Sequence, residues 1–224
     1  MATISSMKEQ VYDAILHRII ELKYLPGKKI SENELGEDLQ VGRTPIREAI
    51  LQLRQEGLVK AIPQSGTYVS KINLSAAKDA RYVRESLEVR VVGEAMEKFT
   101  KYDYTMLRQI IERQVLAESD KQKNLEFFKQ DEAFHHYFYT ATGHEQIWTW
   151  LQNVNMQLNR FRFLRLKNKN LTWDSLVKEH TDLVAAIEAG NTEQAQKKIS
   201  EHLHRMLEEE PALRKWYPEY FEDN

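Results

Sequence analysis

The segment that most constrains this chain runs from 31 to 59, because its residues predict two short helices joined by a tight turn. Ser31 is placed as an N-cap, and Glu34 three residues later completes a capping box. The first helix is therefore predicted over 32–39 and the turn over 40–42. This pattern is typical of a helix-turn-helix unit.

The second helix is predicted to begin at Thr44, with Pro45 at its first position, where the N–H that proline lacks would have no helical partner. Arg43, Thr44 and Arg47 lie at its amino-terminal end, on the side away from the apolar residues. A helix that presents polar residues in this way, braced by the helix before it, reads the major groove of DNA in helix-turn-helix proteins. The apolar positions expected to pack against Leu35 and Leu39 are Ile46, Ile50, Leu51 and Leu53.

A dense set of residues carries a family resemblance: Leu35, Gly42, Arg43, Thr44, Pro45, Arg47, Glu48, Ala49, Leu53 and Glu56-Gly57-Leu58-Val59. In this register they resemble the winged-helix DNA-binding domain of the GntR family of bacterial transcription regulators. The resemblance implies that Arg43 and Arg47 contact bases or phosphates, and arginine suits bidentate contact with guanine. It implies that Thr44 contacts the backbone or a base edge. Asn33 stands where many relatives have arginine, which predicts an altered operator preference at this DNA-contacting position.

Strand-forming residues follow the second helix. Two short strands are predicted over 59–62 and 67–70, with their turn at 63–66. Gly66 is free to adopt a positive φ in this turn, and the resemblance implies that it lets the hairpin, or wing, approach DNA closely. A helix predicted over 7–22 is expected to cover the helix-turn-helix core.

The charge distribution fits a basic reader joined to a mildly acidic body. The 224 residues include 32 Lys and Arg against 34 Asp and Glu, a net charge of −2. From 43 to 71 the chain has five basic residues against two acidic ones, a net charge of +3, whereas from 72 to 224 it has 22 against 25, a net charge of −3. A basic DNA-binding segment joined to a mildly acidic body argues against broad coating of nucleic acid. There is no cysteine, no signal-peptide pattern and no apolar run near the roughly 18 residues of a membrane span. We therefore expect a cytoplasmic bacterial protein without a disulfide framework and without a membrane partner.

The rest of the chain is predicted to be helical. A linker at 72–74 separates a winged helix-turn-helix domain at 1–71 from an all-helical domain at 75–224. Caps and apolar spacing predict six long helices with short connections, the pattern of an antiparallel bundle, so the fold class is mainly α with a small β-hairpin. The six helices are expected near 75–99, 103–121, 125–141, 146–167, 172–189 and 192–210, the last stopping before Pro211.

Sparser motifs run along these helices: Arg84-x-x-Leu87-Glu88, Asp131-x-x-x-His135, Glu179-His180, Ala195 and His202-Leu203. In order and spacing they resemble the FCD domain, the effector-binding and dimerising domain of the FadR-type branch of the GntR family. The resemblance implies a homodimer. Its two-fold symmetry would present two readers to a pseudo-palindromic operator in double-stranded DNA.

Four residues of these motifs are predicted to bind a metal ion. Asp131 and His135 are four residues apart and therefore project from one face of a helix, while His180 and His202 fall on the apolar stripes of two other helices. Three imidazoles and one carboxylate suit a divalent ion such as Zn²⁺, Ni²⁺ or Mn²⁺. The alternatives are a satisfied core histidine at His135 and an ion pair between Asp131 and a nearby arginine.

The resemblance also implies that open positions at the metal accept water or a small carboxylate effector. Such an effector needs a further cation, and Arg84, which matches a family arginine near the pocket, or Arg162 is expected to clamp it. The alternative for each arginine is a salt bridge, for example between Arg84 and Glu88. For Arg43 and Arg47 the alternative is solvated surface charge, and some FCD proteins bind a lipid-like effector without metal.

We therefore predict a sequence-specific transcription regulator, a repressor, whose operator binding is controlled by an organic or sugar acid at the metal. Two other hypotheses stay open: a metal-dependent hydrolase or isomerase with a winged-helix appendage, and an architectural DNA-binding protein without an effector. No extra carboxylate or lysine is placed as a general base, so no enzymatic activity is predicted.

Overall fold

The computed structural model describes residues 6–120 and 122–223. The chain forms two compact units, one made of Met1–Leu74 together with Arg214–Asn224 and the other of Ser75–Leu213.

The first unit combines three helices with a small antiparallel sheet of strand order β1-β3-β2. Its core lies where α1 packs on α3, and Ile15, Ile19, Ile46 and Leu53 are fully buried there. A short 3-10 helix lies at Pro218–Tyr220. The elements are α1 Met7–Ile20, β1 Lys29–Ile30, α2 Glu32–Leu39, α3 Arg43–Gln55, β2 Val59–Ile62 and β3 Gly66–Val69.

The capping box that begins α2 is present. The backbone N–H of Glu34 donates to Ser31 Oγ at 3.1 Å, and the backbone N–H of Ser31 donates to Glu34 Oε2 at 3.1 Å. These two bonds satisfy donors that a helix end otherwise leaves open, which explains why the predicted bounds of this helix are correct.

Two local predictions in this unit were wrong and one strand was missed; in addition, α1 ends at Ile20 and not at 22, and β3 runs one residue earlier than predicted, from Gly66 to Val69. The N-cap of α3 is Gly42, without a side-chain bond, and its first residue is Arg43, each two residues before the predicted N-cap Thr44 and first position Pro45. Leu51 is 48% exposed and not part of the core, because the buried face of α3 runs through Ala49 instead. Strand β1, which pairs with β3 through Lys29 and Tyr68, was not predicted, since two residues carry no periodic signal.

The predicted linker is paired with the carboxyl-terminal segment. The N–H of Ile72 donates to the carbonyl of Tyr220 at 2.7 Å, and the N–H of Glu222 donates to the carbonyl of Ile72 at 3.1 Å. Ile72 and Phe221 form a parallel bridge and both are buried. Residues far apart in sequence therefore hold this short stretch in one conformation.

The second unit is an all-helical bundle in which α5 packs on α6 and α9. Its largest apolar cluster includes Leu107, Phe134, Phe138 and Leu183. No helix in the described ranges combines the length and apolar character of a membrane span. The helices are α4 Leu74–Lys98, α5 Lys101–Glu118, α6 Asn124–Thr142, α7 Glu145–Val154, α8 Met156–Lys167, α9 Asp174–Glu188 and α10 Thr192–Trp216.

Two predicted bounds in the bundle needed larger corrections. The helix expected at 146–167 is two helices, α7 and α8, which meet at the buried Asn155. The last helix does not stop before Pro211 but continues to Trp216. A proline inside a helix removes one backbone hydrogen bond, and here the fully buried Leu213 beyond it favours continuation.

Candidate functional site

The amino-terminal end of α3 presents polar side chains to solvent. Arg43 and Thr44 are exposed, and so is Asn33 in the first turn of α2. Arg47 is also exposed, and its Nε donates to Glu32 Oε2 at 2.7 Å. An exposed ion pair of this kind contributes at most about 1 kcal/mol, so Arg47 can exchange Glu32 for another acceptor at little cost.

The tip of the wing is shaped by Gly66. Its φ is +132°, and a β-carbon there would lie 2.6 Å from Cε of Lys29. Lys29 therefore lies against the tip of the hairpin and adds a cation to this surface. Sequence reasoning missed it because its position depends on strand β1.

The four predicted ligand residues converge inside the bundle from three helices: Asp131 and His135 from α6, His180 from α9 and His202 from α10. One donor atom from each lies within 4.8 Å of the others. The Nε2 atoms of His180 and His202 are 3.3 Å apart, and His180 Nε2 lies 3.7 Å from Asp131 Oδ1. All four side chains are mostly or fully buried.

Each imidazole of this cluster is held at Nδ1 by an oxygen acceptor on a neighbouring helix. Because an oxygen of a carboxylate or a side-chain carbonyl only accepts, each Nδ1 carries the proton and donates it. Each Nε2 atom then carries a lone pair: those of His180 and His202 are 3.3 Å apart, and His135 Nε2 has no hydrogen-bond partner in the described residues. The three bonds are His135 Nδ1 to Glu88 Oε2 at 2.6 Å, His180 Nδ1 to Gln114 Oε1 at 2.8 Å and His202 Nδ1 to Glu179 Oε2 at 2.8 Å.

The electrostatics favour the same protonation states. Burial lowers the pKa of His135 and His180 and brings the pKa of His202 to about 4. Burial alone would raise the pKa of Asp131, but Arg162 and the histidines outweigh it and hold that pKa well below its usual range. At neutral pH the cluster is one carboxylate facing three neutral imidazoles.

This donor set fits a divalent ion. Lone pairs on two nitrogens 3.3 Å apart repel each other unless a cation or proton lies between them. Ligand atoms about 2.1 Å from one ion lie roughly 3–4 Å from each other, so the cluster needs only a small contraction to bind one. The bonds at Nδ1 are those that orient histidine ligands in metal proteins.

The two arginines predicted as effector clamps differ in their partners. Arg162 pairs with Asp131 Oδ2 and, at 2.5 Å, with Glu132. The side chain of Arg84 is 1% exposed; its Nε donates to Glu88 Oε1 at 2.6 Å, while its Nη2 has no hydrogen-bond partner in the described residues. The salt-bridge alternatives are therefore present for both arginines, but of the two only Arg84 has a buried guanidinium nitrogen without a hydrogen-bond partner in the described residues.

A cavity of about 70 Å³ adjoins the cluster, and both arginines line it together with Asp131 and His202. A ligand in this cavity would lie beside two of the candidate metal ligands. The arrangement can therefore hold an anion that contacts an ion and an arginine at once.

Sequence reasoning missed the partners of the histidines. Gln114 gave one signal, since it is a polar residue in line with the apolar positions Leu107, Ile110 and Ile111 of one helix. Glu179 stands next to His180 in one of the bundle motifs, but no role was predicted for it. Which histidine each contacts depends on the packing of separate helices.

Comparison with known proteins places both units among regulators of transcription. Residues 7–69 match the family described as bacterial regulatory proteins, gntR family, and residues 79–205 match the FCD domain. These matches cover the winged helix and most of the bundle. Proteins of this family are transcriptional regulators and not enzymes, which decides against the hypothesis of a metal-dependent hydrolase or isomerase.

Similar proteins extend over nearly the whole chain. An uncharacterized HTH-type transcriptional regulator from an unstable DNA locus of Streptomyces ambofaciens is 30% identical over 214 residues, 96% of this chain and 89% of that protein. The HTH-type transcriptional repressor RspR of Escherichia coli K12 is 24% identical over 217 residues, 97% of this chain and 94% of the repressor. The solved structure of E. coli McbR/YncC has a TM-score of 0.77 at 18% identity, covering 96% of this chain and all of that one, which shows a shared fold.

Proposed function

Because the chain belongs to the GntR family and carries an FCD domain, it is a transcriptional regulator, and we propose that a small acid bound at a divalent metal ion in the bundle controls its operator binding. The observation that carries this proposal is the convergence of three imidazole lone pairs and one carboxylate oxygen in a buried cluster. Within this cluster, His135 Nε2 has no hydrogen-bond partner in the described residues.

In the winged helix-turn-helix unit, we assign base or phosphate contacts to Arg43 and Arg47, and a backbone or base-edge contact to Thr44. Their exposure at the start of α3 supports this assignment. Asn33 contributes a shorter, neutral contact, and Gly66 lets the wing tip approach the duplex. Two such readers in a homodimer would bind a pseudo-palindromic operator, with half-sites set by the two-fold symmetry.

For the sensor, Asp131, His135, His180 and His202 would hold the ion, which would be Zn²⁺, Ni²⁺ or Mn²⁺. A bound ion supplies a positive pole that anchors a carboxylate. Arg84 would contact the same carboxylate, and Arg162 would keep Asp131 oriented through its second oxygen.

An acid can control DNA binding only if it binds the DNA-binding and the DNA-free conformations of the protein with different affinity. We propose that the regulator acts as a repressor, in keeping with the description of its relative RspR. As a DNA-binding protein, it would act in the bacterial cytoplasm.

A matched pair of histidine variants tests the metal site. His202→Ala removes a proposed ligand, whereas His204→Ala changes an exposed histidine two residues away on the same helix. We expect elemental analysis to find the ion lost or strongly reduced in the first variant and retained in the second. Equal metal content in both proteins would refute the ligand set.

The same two variants test the link to DNA. A genomic selection with the full-length protein would supply the operator, and a gel-shift titration at fixed salt would measure its affinity. We expect metal chelation to change the response of the wild type and His204→Ala to added acids but to leave His202→Ala unaffected. Identical responses with and without chelator would show that the ion has no regulatory role.

A further inference from the structure

The wall of the cavity beside the candidate metal cluster is apolar wherever it is not an arginine, an acid or His202. None of the described residues that line it is a serine, threonine, tyrosine, asparagine or glutamine. A polyhydroxylated ligand would therefore find no neutral hydrogen-bonding side chain in that lining. The apolar part of the wall includes Phe128, Leu158, Phe161, Leu176, Leu203 and Met206.

The charged groups of the wall are largely paired with one another. Five arginines line the cavity, and six carboxylates pair with them, a formal net charge of −1. A divalent ion with neutral histidine ligands brings this total to +1. One further negative charge makes the site neutral, whereas two would leave a surplus charge in a buried environment, which is costly. The pairs join Arg81, Arg84, Arg162, Arg165 and Arg205 with Glu85, Glu88, Asp131, Glu132, Glu179 and Glu209.

Three arginines of the wall have a buried nitrogen without a hydrogen-bond partner in the described residues: Arg81 Nε, Arg84 Nη2 and Arg165 Nη1. Of these side chains, Arg84 interacts electrostatically with both Asp131 and His202, so the single carboxylate is placed against Arg84 Nη2. The cavity is small, with a volume of about 70 Å³. This space suits an acid with a short body and excludes a long-chain lipid in the present conformation.

Resting on the proposed metal site, we infer that the effector is a short-chain monocarboxylic acid with an apolar body, and not a sugar acid or a dicarboxylic acid. Its carboxylate lies between the ion and Arg84. Its hydrocarbon part lies against the apolar wall, where burial of each CH₂ is favourable and burial of each unpaired hydroxyl is costly.

Three six-carbon acids separate the alternatives: hexanoate, adipate and gluconate. They share one carboxylate and differ in a second carboxylate or in five hydroxyl groups. Isothermal titration of the zinc-loaded full-length protein is expected to give hexanoate an affinity about tenfold or more above that of the other two, because each of them buries unpaired polar or charged groups. Metal-free protein is expected to show a much weaker response to hexanoate.

Variants of the wall provide a second readout. Met206→Gln keeps the length of a buried side chain but places an amide in the wall, and it is expected to reduce the ratio of hexanoate to gluconate affinity about fivefold. Met106→Gln makes the same replacement at a half-buried position of α5 outside the cavity, and is expected to leave the ratio unchanged.

The outcomes distinguish this inference from the function proposed above, if metal content and operator binding are measured on the same preparation. If gluconate binds as tightly as hexanoate while metal binding and operator binding are intact, the claim of an apolar effector is refuted but the proposed function is not. Tighter binding of adipate than of hexanoate refutes the claim that the effector has a single negative charge. It would indicate that the second carboxylate of the acid binds Arg165, whose Nη1 also lacks a partner in the described residues. No response to any of the three acids in metal-loaded protein overturns the inference, and absence of the ion overturns both proposals.

Discussion

Replacing Gln114 with alanine tests whether the bundle orients its histidines for a metal ion. The Gln114 side chain is fully buried; its Oε1 accepts from His180 Nδ1 at 2.8 Å, and its Nε2 donates to the carbonyl of Gln130 at 3.2 Å. In Gln114→Ala the imidazole loses the acceptor that keeps its proton on Nδ1 and its lone pair on Nε2. The variant therefore removes no proposed ligand but releases the orientation of one.

Two magnitudes follow from these contacts. Loss of a partner that orients a histidine ligand typically lowers metal affinity about 10–100-fold, or about 1.4–2.8 kcal/mol. Leaving a buried N–H without an acceptor costs about 1–3 kcal/mol of stability even without metal. We therefore expect both weaker zinc binding and a lower free energy of unfolding of the metal-free protein.

Competition with a fluorescent zinc chelator measures the first effect, and urea unfolding of metal-free protein measures the second. Gln109→Ala, at an exposed position of the same helix, is the matched control and should change neither quantity. Gln114→Glu keeps an acceptor for His180 and should restore most of the zinc affinity. If Gln114→Ala loses stability but binds zinc as tightly as the wild type, the orienting role is refuted and Gln114 is only a packing residue.

Three further predictions concern the DNA-binding unit. Arg47→Ala should weaken operator binding by about 1–3 kcal/mol if the arginine makes a bidentate base contact; unchanged fluorescence anisotropy at fixed salt would exclude that contact. Gly66→Ala should cost about 1–3 kcal/mol of stability because of its positive φ and the approach of Lys29, measured by urea unfolding, and full retention of stability would contradict the wing geometry. Leu53→Ala should cost about 2–5 kcal/mol because Leu53 is fully buried, whereas Leu51→Ala should cost less than about 1 kcal/mol; equal losses would contradict the assigned faces of α3.

Much of the structure of the winged helix-turn-helix unit could be predicted because its sequence signals are local. The capping box at Ser31 and Glu34 involves residues three apart, and the apolar spacing of α3 places Ile46 and Leu53 in the core. The wing hairpin was also predicted from its turn, although Gly66, predicted in the turn, is the first residue of β3 and pairs with Ile62. Local signals failed where a neighbour decided the outcome, as at Leu51.

The bundle shows the limit of such signals more clearly. The sequence near Asn155 does not predict a break in the helix, and the sequence near Pro211 does not predict that the helix continues. Burial of the flanking apolar residues determines whether each helix ends or continues. Helix bounds in the bundle therefore depend on packing more than on caps.

The sequence by itself determined that this chain is a GntR-type regulator, and it identified the four candidate metal ligands. It could do so because helical spacing and family motifs depend on residues within one helix. Only the tertiary structure decided how those ligands are held. Glu88, Gln114 and Glu179 reach the three histidines from α4, α5 and α9, and contacts between residues of different helices leave no periodic pattern in the sequence of either helix. The same holds for the cavity wall, which is formed only when apolar residues of several helices meet.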